Sequence, residues 1–457
     1  MNTSRFYRWA LSLWRLHPAI IWPLVYVLFF IRSFFFLDPD FGWHQASGYH
    51  ILGHGIPQHD IYSYTMPQFP WIHHEWLADI GNYIVYHYLG GYGTIAAIYA
   101  LLWTGVLWLV ARTTNHRLLV VLAATLLLPF AGVRALTWSV VFSAILMVIM
   151  RQKQTARHWL VVPIMLFWAN MHGSFVVGLA YLVWQWLMRR QWHTAWLVIA
   201  AGAVTICTPY GAGMYVEIIR TMTDTGLHTS ISEWRSFDLS VPVCIFTGMW
   251  LAMAVVAKKP WYRGLIRFET VLFSMAISSM RQIPLFVLYA LPFVLQQCRR
   301  VVAQVHTVHL PVQRLVIGGV LGLYVVSGIA VYNAFQPLHR DREVTYPIAS
   351  VASLRAHPCR GNLFADYNAG GYLIWRLPGQ RLYIDGRMPS WRQDDESILA
   401  RYHRVLAEPT YRKQQFATYD IRCVILPRTM TLVKQLQKEG WHIATREATN
   451  ADVLLVR

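Results

Sequence analysis

The stretch "DPDFGWHQASGYHILGHGIPQHDIYSYT", Asp38 to Thr65, follows without a spacer on an apolar run, Pro18 to Leu37. At about 1.5 Å of rise per residue, that run is long enough to cross a hydrocarbon core of about 30 Å. No small-residue cleavage site ends it, so it reads as an uncleaved anchor. The segment behind it is crowded with carboxylates, imidazoles, glycines and aromatics. Such a density of polar chemistry beside a hydrocarbon anchor predicts a functional loop at a membrane surface.

Composition extends the reading to the whole chain. Of 457 residues 56% are hydrophobic and 14% charged, with 21 Trp, and the mean hydropathy is +0.35; soluble domains do not combine these values. The net charge of +18 does not point to nucleic acid, because the basic residues stand in short clusters between apolar runs and form no continuous patch. They read as topology signals: Arg5, Arg8 and Arg15; Arg112 and Arg117; Arg151, Lys153 and Arg157; Arg189 and Arg190; Lys258, Lys259, Arg263 and Arg267; Arg299 and Arg300. With a cytoplasmic amino terminus every cluster falls inside. The further spans are expected near 94–111, 118–133, 137–150, 158–169, 174–188, 194–207, 241–257, 268–280, 284–298 and 314–336, about eleven transmembrane helices with the first. An odd number puts the carboxyl-terminal region outside, in a multi-pass protein of the bacterial cytoplasmic (inner) membrane. The acidic residues agree: of the ten before Arg340, all but Glu269 lie in loops assigned outside.

From Pro337 the composition changes. Twelve of the 22 acidic residues lie beyond it, and apolar runs shorten to strand length. "NLFADYN", "GYLIWRL", "RLYIDGR", "RCVILPR" and "DVLLVR" read as strands, with helices at Asp394 to Leu406 and Met430 to Glu439. The expected organisation is a transmembrane domain over 1–336 with a first outer loop at 38–93, then an extracytoplasmic α/β domain over 337–457. Cys359 and Cys423 both fall in the outer domain and are the two placed to pair; Cys207, Cys244 and Cys298 lie in or near apolar spans.

Polar residues gather at the outer ends of the spans. Arg134, Arg281 and Arg32 lie at the hydrocarbon boundary, where a guanidinium either snorkels or binds an anion such as phosphate. Asn170 and His172 in "WANMHGS", and Glu233 in "SEWRS", suit sugar binding, loop ordering or helix capping. "HHEW" at His73–Trp76 begins like a zinc-protease helix, but Ala78 stands where its second histidine is needed. His44, His50, His54, His59, His73 and His74 still make the first loop histidine-rich, so a divalent metal, Mg or Mn, held by carboxylate and histidine is an expectation, with Asp40 and His44 as its ligands. Gly53 and Gly55 read as a turn.

The opening stretch resembles the first outer loop of the GT-C superfamily of integral-membrane glycosyltransferases, and within it oligosaccharyltransferase catalytic subunits. The residues that carry the resemblance are Asp38-Pro39, Phe41, His44, Gly53, Gly55, Asp60 and Tyr64. "FADYNAGGYLIW" and "YIDGR", Phe364 to Arg387, are similar to the "WWDYG" region of those subunits: Asp366-Tyr367 matches its "DY", and Gly370 or Gly371 its glycine. Both tryptophans are absent, so sequon recognition is not carried over. The resemblance implies a polytopic α-helical GT-C-like protein with a soluble α/β domain. It also implies inverting transfer of a sugar from a polyprenyl-phosphate-linked donor, in contact with membrane lipids and at the outer face, to a protein, lipid or glycan acceptor. Asp38 or Asp40 is then the base, Arg134, Arg281 and Arg32 bind the donor phosphate, and His44, His74, Glu75, Asn170, His172, Glu233, Asp366 and Tyr367 touch substrate or support those that do. The competing readings are a non-catalytic binder of lipid-linked glycan and a transporter.

Overall fold

The computed structural model describes residues 18–114, 118–224, 226–227, 231, 241–256, 260–304, 346–394, 396–444 and 452–457. The expected span at 314–336 and the candidate Glu233 lie outside the described residues. The chain divides into two compact units: Met1–Phe36, Tyr92–Cys207 and His228–Pro337 form the first, and Leu37–Gly91, Thr208–Leu227 and Leu338–Arg457 the second. Each is assembled from separate stretches of sequence.

The first unit is helical. The run expected to be an anchor forms the helix Pro18–Phe35, ending two residues before Leu37. Gly91–Thr114 follows, and its Gly91–Arg112 portion is the one described helix both long and apolar enough to cross a membrane alone. Shorter helices occupy most of the other expected spans: Leu118–Leu127, Leu136–Met150, Val161–Met171, Phe175–Arg189, Trp192–Val204, Val241–Val256 and Phe268–Ser278. Ile283–Gln304 is buried on every side from Ile283 to Leu295, as an all-round apolar helix must be. Trp103, Trp168, Trp250 and Phe286 lie fully inside the unit. Of their indole groups, Trp103 Nε1 donates to Thr137 Oγ1 at 3.2 Å and Trp168 Nε1 to Ser174 Oγ at 3.1 Å. Ile20, Leu24, Val27, Trp192, Trp196 and Ile199 point outward, so apolar surface faces both into the unit and away from it.

The second unit centres on a four-stranded sheet. Asn362–Ala365 runs parallel to Ile421–Pro427, which pairs antiparallel with Asp452–Val456, and this pairs antiparallel with His442–Ile443. Ile421–Pro427 is central and buried except at Arg422 and Pro427, the continuous apolar pattern of a strand covered on both faces. Ile398–Ala407, Pro409–Thr418 and Thr431–Lys438 are helices of the same unit that follow the first strand. Cys359 and Cys423 form a disulfide with Cα atoms 6.1 Å apart, joining the chain before the first strand to the central one.

Two expected strands are different. "GYLIWRL" is the helix Gly370–Arg376, and its buried residues Gly370, Gly371, Leu373 and Ile374 repeat at helical spacing. An apolar run this short is compatible with either period. The outcome follows from Asp366, whose side chain accepts from Asn368 N at 3.0 Å and starts the helical turn Tyr367–Ala369 that leads into it. "RLYIDGR" contributes only bridges at Leu382, to Leu363 on one side and to Ser63 on the other. Through that second bridge the first loop is stitched onto the sheet: Tyr64 N donates to Leu382 O at 3.1 Å and Leu382 N to Tyr62 O at 2.9 Å.

Candidate active site

Asp38 and Asp40 are held by a turn. Pro39 disfavours helix at Asp38, Phe41 N donates to Asp38 O at 3.0 Å, and Asp40 N donates to Asp38 Oδ1 at 2.9 Å. The helix Phe41–His54 starts directly after. Three glycines from the two motif regions make room for this turn. A Cβ on Gly42 would collide with the carbonyl oxygen of Gly371, one on Gly371 with that of Pro39, and one on Gly386 with Oδ1 of Asp40. The "DPDFG" turn and the "AGGY" and "IDGR" segments are thus complementary surfaces in backbone contact, and Asp40 lies over Gly386. Tyr367 Oη reaches the Gly386 carbonyl at 3.5 Å.

Behind the turn lies a carboxylate–imidazole cluster that sequence reading identified only in part. Asp79, fully buried, takes the Nδ1 hydrogen of His44 at 2.6 Å and the Nε2 hydrogen of His73 at 2.8 Å, one on each oxygen. Glu75 faces His44 Nε2 at 3.6 Å and His74 at 3.4 Å. Burial opposes a charge on His44, but Asp79, through its field and its hydrogen bond, with Glu75 and Asp40 adding to it, outweighs burial and raises the imidazole to about 9. His73, sharing the same carboxylate, goes the other way because burial dominates, and it falls below its ordinary value. At neutral pH His44 is therefore an imidazolium and His73 a neutral donor. The missed members are Asp79 and His73. Their signal was the spacing Glu75 to Asp79, one helical turn with an acid buried in an apolar run, which has an explanation only when paired.

A second buried cluster pins the same region. Arg387 Nη2 binds Asp60 Oδ1 at 2.8 Å and Asp385 Oδ2 at 2.7 Å, and its Nε binds Asp385 Oδ1 at 2.8 Å. Burial lowers the guanidinium's pKa but the two carboxylates outweigh it and raise it above the ordinary arginine value. The aromatic faces of Trp71 and Tyr62 lie 4.4 and 4.7 Å from its centre. One arginine thus ties the first loop to the residue following Gly386.

The remaining candidates divide by unit. In the first, Arg32 donates to Pro129 O at 3.2 Å, and Arg32 and Arg134 both stand over the Phe36 ring, at 3.9 and 5.4 Å, so two of the three arginines are brought together. Arg281 lies in the turn Met280–Gln282 between helices. His172 ends the helix Val161–Met171, its Nδ1 accepting from Ser139 Oγ at 3.0 Å and from Ser174 N at 3.1 Å, and Asn170 donates to Leu166 O and Cys207 O at 2.9 and 3.1 Å. Both close helix ends, as their spacing allowed. In the second unit Asp366 caps a turn and accepts from Tyr402 Oη at 3.4 Å, while His74 is the most open of the cluster, with 39% of its side chain exposed.

Both ring nitrogens of His44 face carboxylates, Nδ1 toward Asp79 and Nε2 toward Glu75, so a divalent cation on Asp40 and His44 would have to displace one of these pairings. Among the described residues no group of three or more His, Cys, Asp and Glu is arranged to hold a metal.

The fold is similar to that of GT-C membrane glycosyltransferases of known structure. The oligosaccharyltransferase AglB of Archaeoglobus fulgidus, in complex with an inhibitory peptide and a dolichol-phosphate, superposes with a TM-score of 0.59 at 9% identity, over 89% of this chain and 69% of that one. The apo form of the Archaeoglobus fulgidus oligosaccharyltransferase gives 0.56 at 10% identity over 89% and 69%. ArnT from Cupriavidus metallidurans, also apo, gives 0.50 at 15% identity, over 100% of this chain and 98% of that one. At these identities the likeness establishes the fold. No protein-family model matches the chain, and no curated protein matches it in sequence.

Proposed function

We propose that the protein is an inverting membrane glycosyltransferase that takes a sugar from a polyprenyl-phosphate-linked donor at the outer face of the membrane, with a first-loop aspartate as base. The observation that carries the reading is the "DPDFG" turn. It presents two carboxylates on a backbone fixed by glycine contacts, in a fold shared with glycosyltransferases. Inversion in one displacement needs a group to receive the acceptor's proton and cations to hold the leaving phosphate. Asp38, directly behind the anchor, is the first choice for the proton. Asp40, whose field adds to the charge on His44, serves to orient the acceptor or the turn. Arg32, Arg134 and Arg281 offer the always-charged donor forks that phosphate requires. His44 supplies fixed positive charge, and Asp79 and His73 hold its ring in place.

The test is sugar transfer from a lipid-linked donor by purified protein, with donor affinity measured separately. Asp38→Asn keeps the shape and removes the proton acceptor, so turnover falls by about 100-fold or more while donor binding changes little. Arg134→Ala weakens donor binding as well. An Asp38→Asn protein that inserts, binds donor and turns over at the parental rate moves the base to Asp40.

A further inference from the structure

The helix Gly213–Thr223 is amphipathic the wrong way round for water. Its outward row, together with the residue before it, is Ala212, Val216, Ile219, Met222 and Thr223, with Val216 65% and Ile219 62% exposed. Its charges turn inward. Glu217 is buried and pairs with Arg220 one turn on, the Arg220 guanidinium lies 5.0 Å from the Phe69 ring centre, and Asp224, also buried, receives Gly226 N at 2.8 Å and Arg392 at 3.3 Å. A helix at a protein–water boundary shows the opposite pattern.

We propose that this face lies in lipid: Gly213–Thr223 is an interfacial helix whose aliphatic row sits among acyl chains at the headgroup boundary while its ion pair faces the protein. The row favours lipid over a protein partner because it carries no aromatic or arginine anchor of the kind that dominates protein interfaces: four of its five residues are apolar, and the Thr223 hydroxyl donates back to Ile219 O at 2.9 Å. Chain continuity agrees. The short connection Thr205–Ala212 follows the apolar helix Trp192–Val204, and that helix too turns Trp192, Trp196 and Ile199 outward. The inference rests on the membrane placement proposed above and is independent of the transfer chemistry.

The experiment uses the full chain in phospholipid nanodiscs, with Cys207, Cys244 and Cys298 replaced by serine and the disulfide kept. Single cysteines at Val216 and Ile219 carry an environment-sensitive fluorophore, with Leu24 on the anchor helix and Gln414 on an exposed helix as the two references. Labels at Val216 and Ile219 should be quenched by nitroxide-bearing lipids as the Leu24 label is, and at least fivefold less than the Gln414 label by a water-soluble quencher. Quenching from water alone overturns the proposal. Protection from both quenchers also overturns it, because protein then covers the row. A Leu24 label that behaves like Gln414 would refute the membrane placement, and this inference with it. Transferase activity enters none of these readouts, so a failed transfer assay and a failed lipid assay are distinguishable.

Discussion

His44 concentrates the chemistry of the first loop in one side chain. Its folded pKa of about 9 stands above the ordinary 6.5, so the stabilisation from its charge is complete below about pH 6.5 and is lost as pH rises through 9. The full effect is up to about 3 kcal/mol. Thermal unfolding in detergent from pH 6 to pH 10 should show that loss in the parent protein and a much flatter profile in His44→Gln. Asp79→Asn should be the more damaging change, by about 3 kcal/mol, because it removes the charge that pairs His44 and leaves one acceptor oxygen, and an NH2 donor, for two buried imidazoles. Equal stability of Asp79→Asn and the parent would show that the cluster is not formed. In the sequence, His44 was legible as a functional residue and Asp79 was not. A histidine next to a tryptophan in a loop signals chemistry, whereas an aspartate inside "WLADIG" acquires its role only once folding removes it from water and places it between two rings.

At the scale of elements, the helix Phe41–His54 meets the helix Gly370–Arg376 at Gly42 and Gly371, backbone against backbone. Gly371→Ala forces the Pro39 carbonyl away and should lower stability by about 1–3 kcal/mol. It should also lower kcat more than KM if the turn positions Asp38, a split that a purely structural defect would not give. Gly53→Ala, with open space around its Cα, serves as the control and should cost nothing. Gly371 was visible as a motif position, but Gly42 and the contact between the two were not. Nor was the helical state of "GYLIWRL": seven apolar-rich residues satisfy both periods, and the choice was made by a cap at Asp366 and by burial against the first loop.

At the scale of the whole molecule, orientation is the open prediction. Single cysteines at Gln58 and Gln414 in intact cells should react with an impermeant thiol reagent, and one at Lys153 should not; the reverse pattern inverts the topology. The Cys359–Cys423 bond closes a loop 64 residues in sequence separation, worth about 4 kcal/mol in the chain-entropy account, so reduction should lower the melting temperature of the second unit's transition, and unchanged melting would show the bond to be without consequence. The sequence by itself determined the mostly helical class, the sheet region after Pro337, the two cysteines that pair and the position of the acidic turn, because hydropathy, charge clustering and local turn chemistry act over a few residues at a time. Only the tertiary structure decided that the first loop is stitched to the sheet through Ser63, Leu382 and Arg387, and that Asp79 holds two histidines. It also decided that Arg32 and Arg134, far apart in sequence, share the Phe36 ring. Those facts are contacts between residues up to hundreds of positions apart, and they form where burial makes an unpaired charge or a misplaced backbone atom too costly to keep.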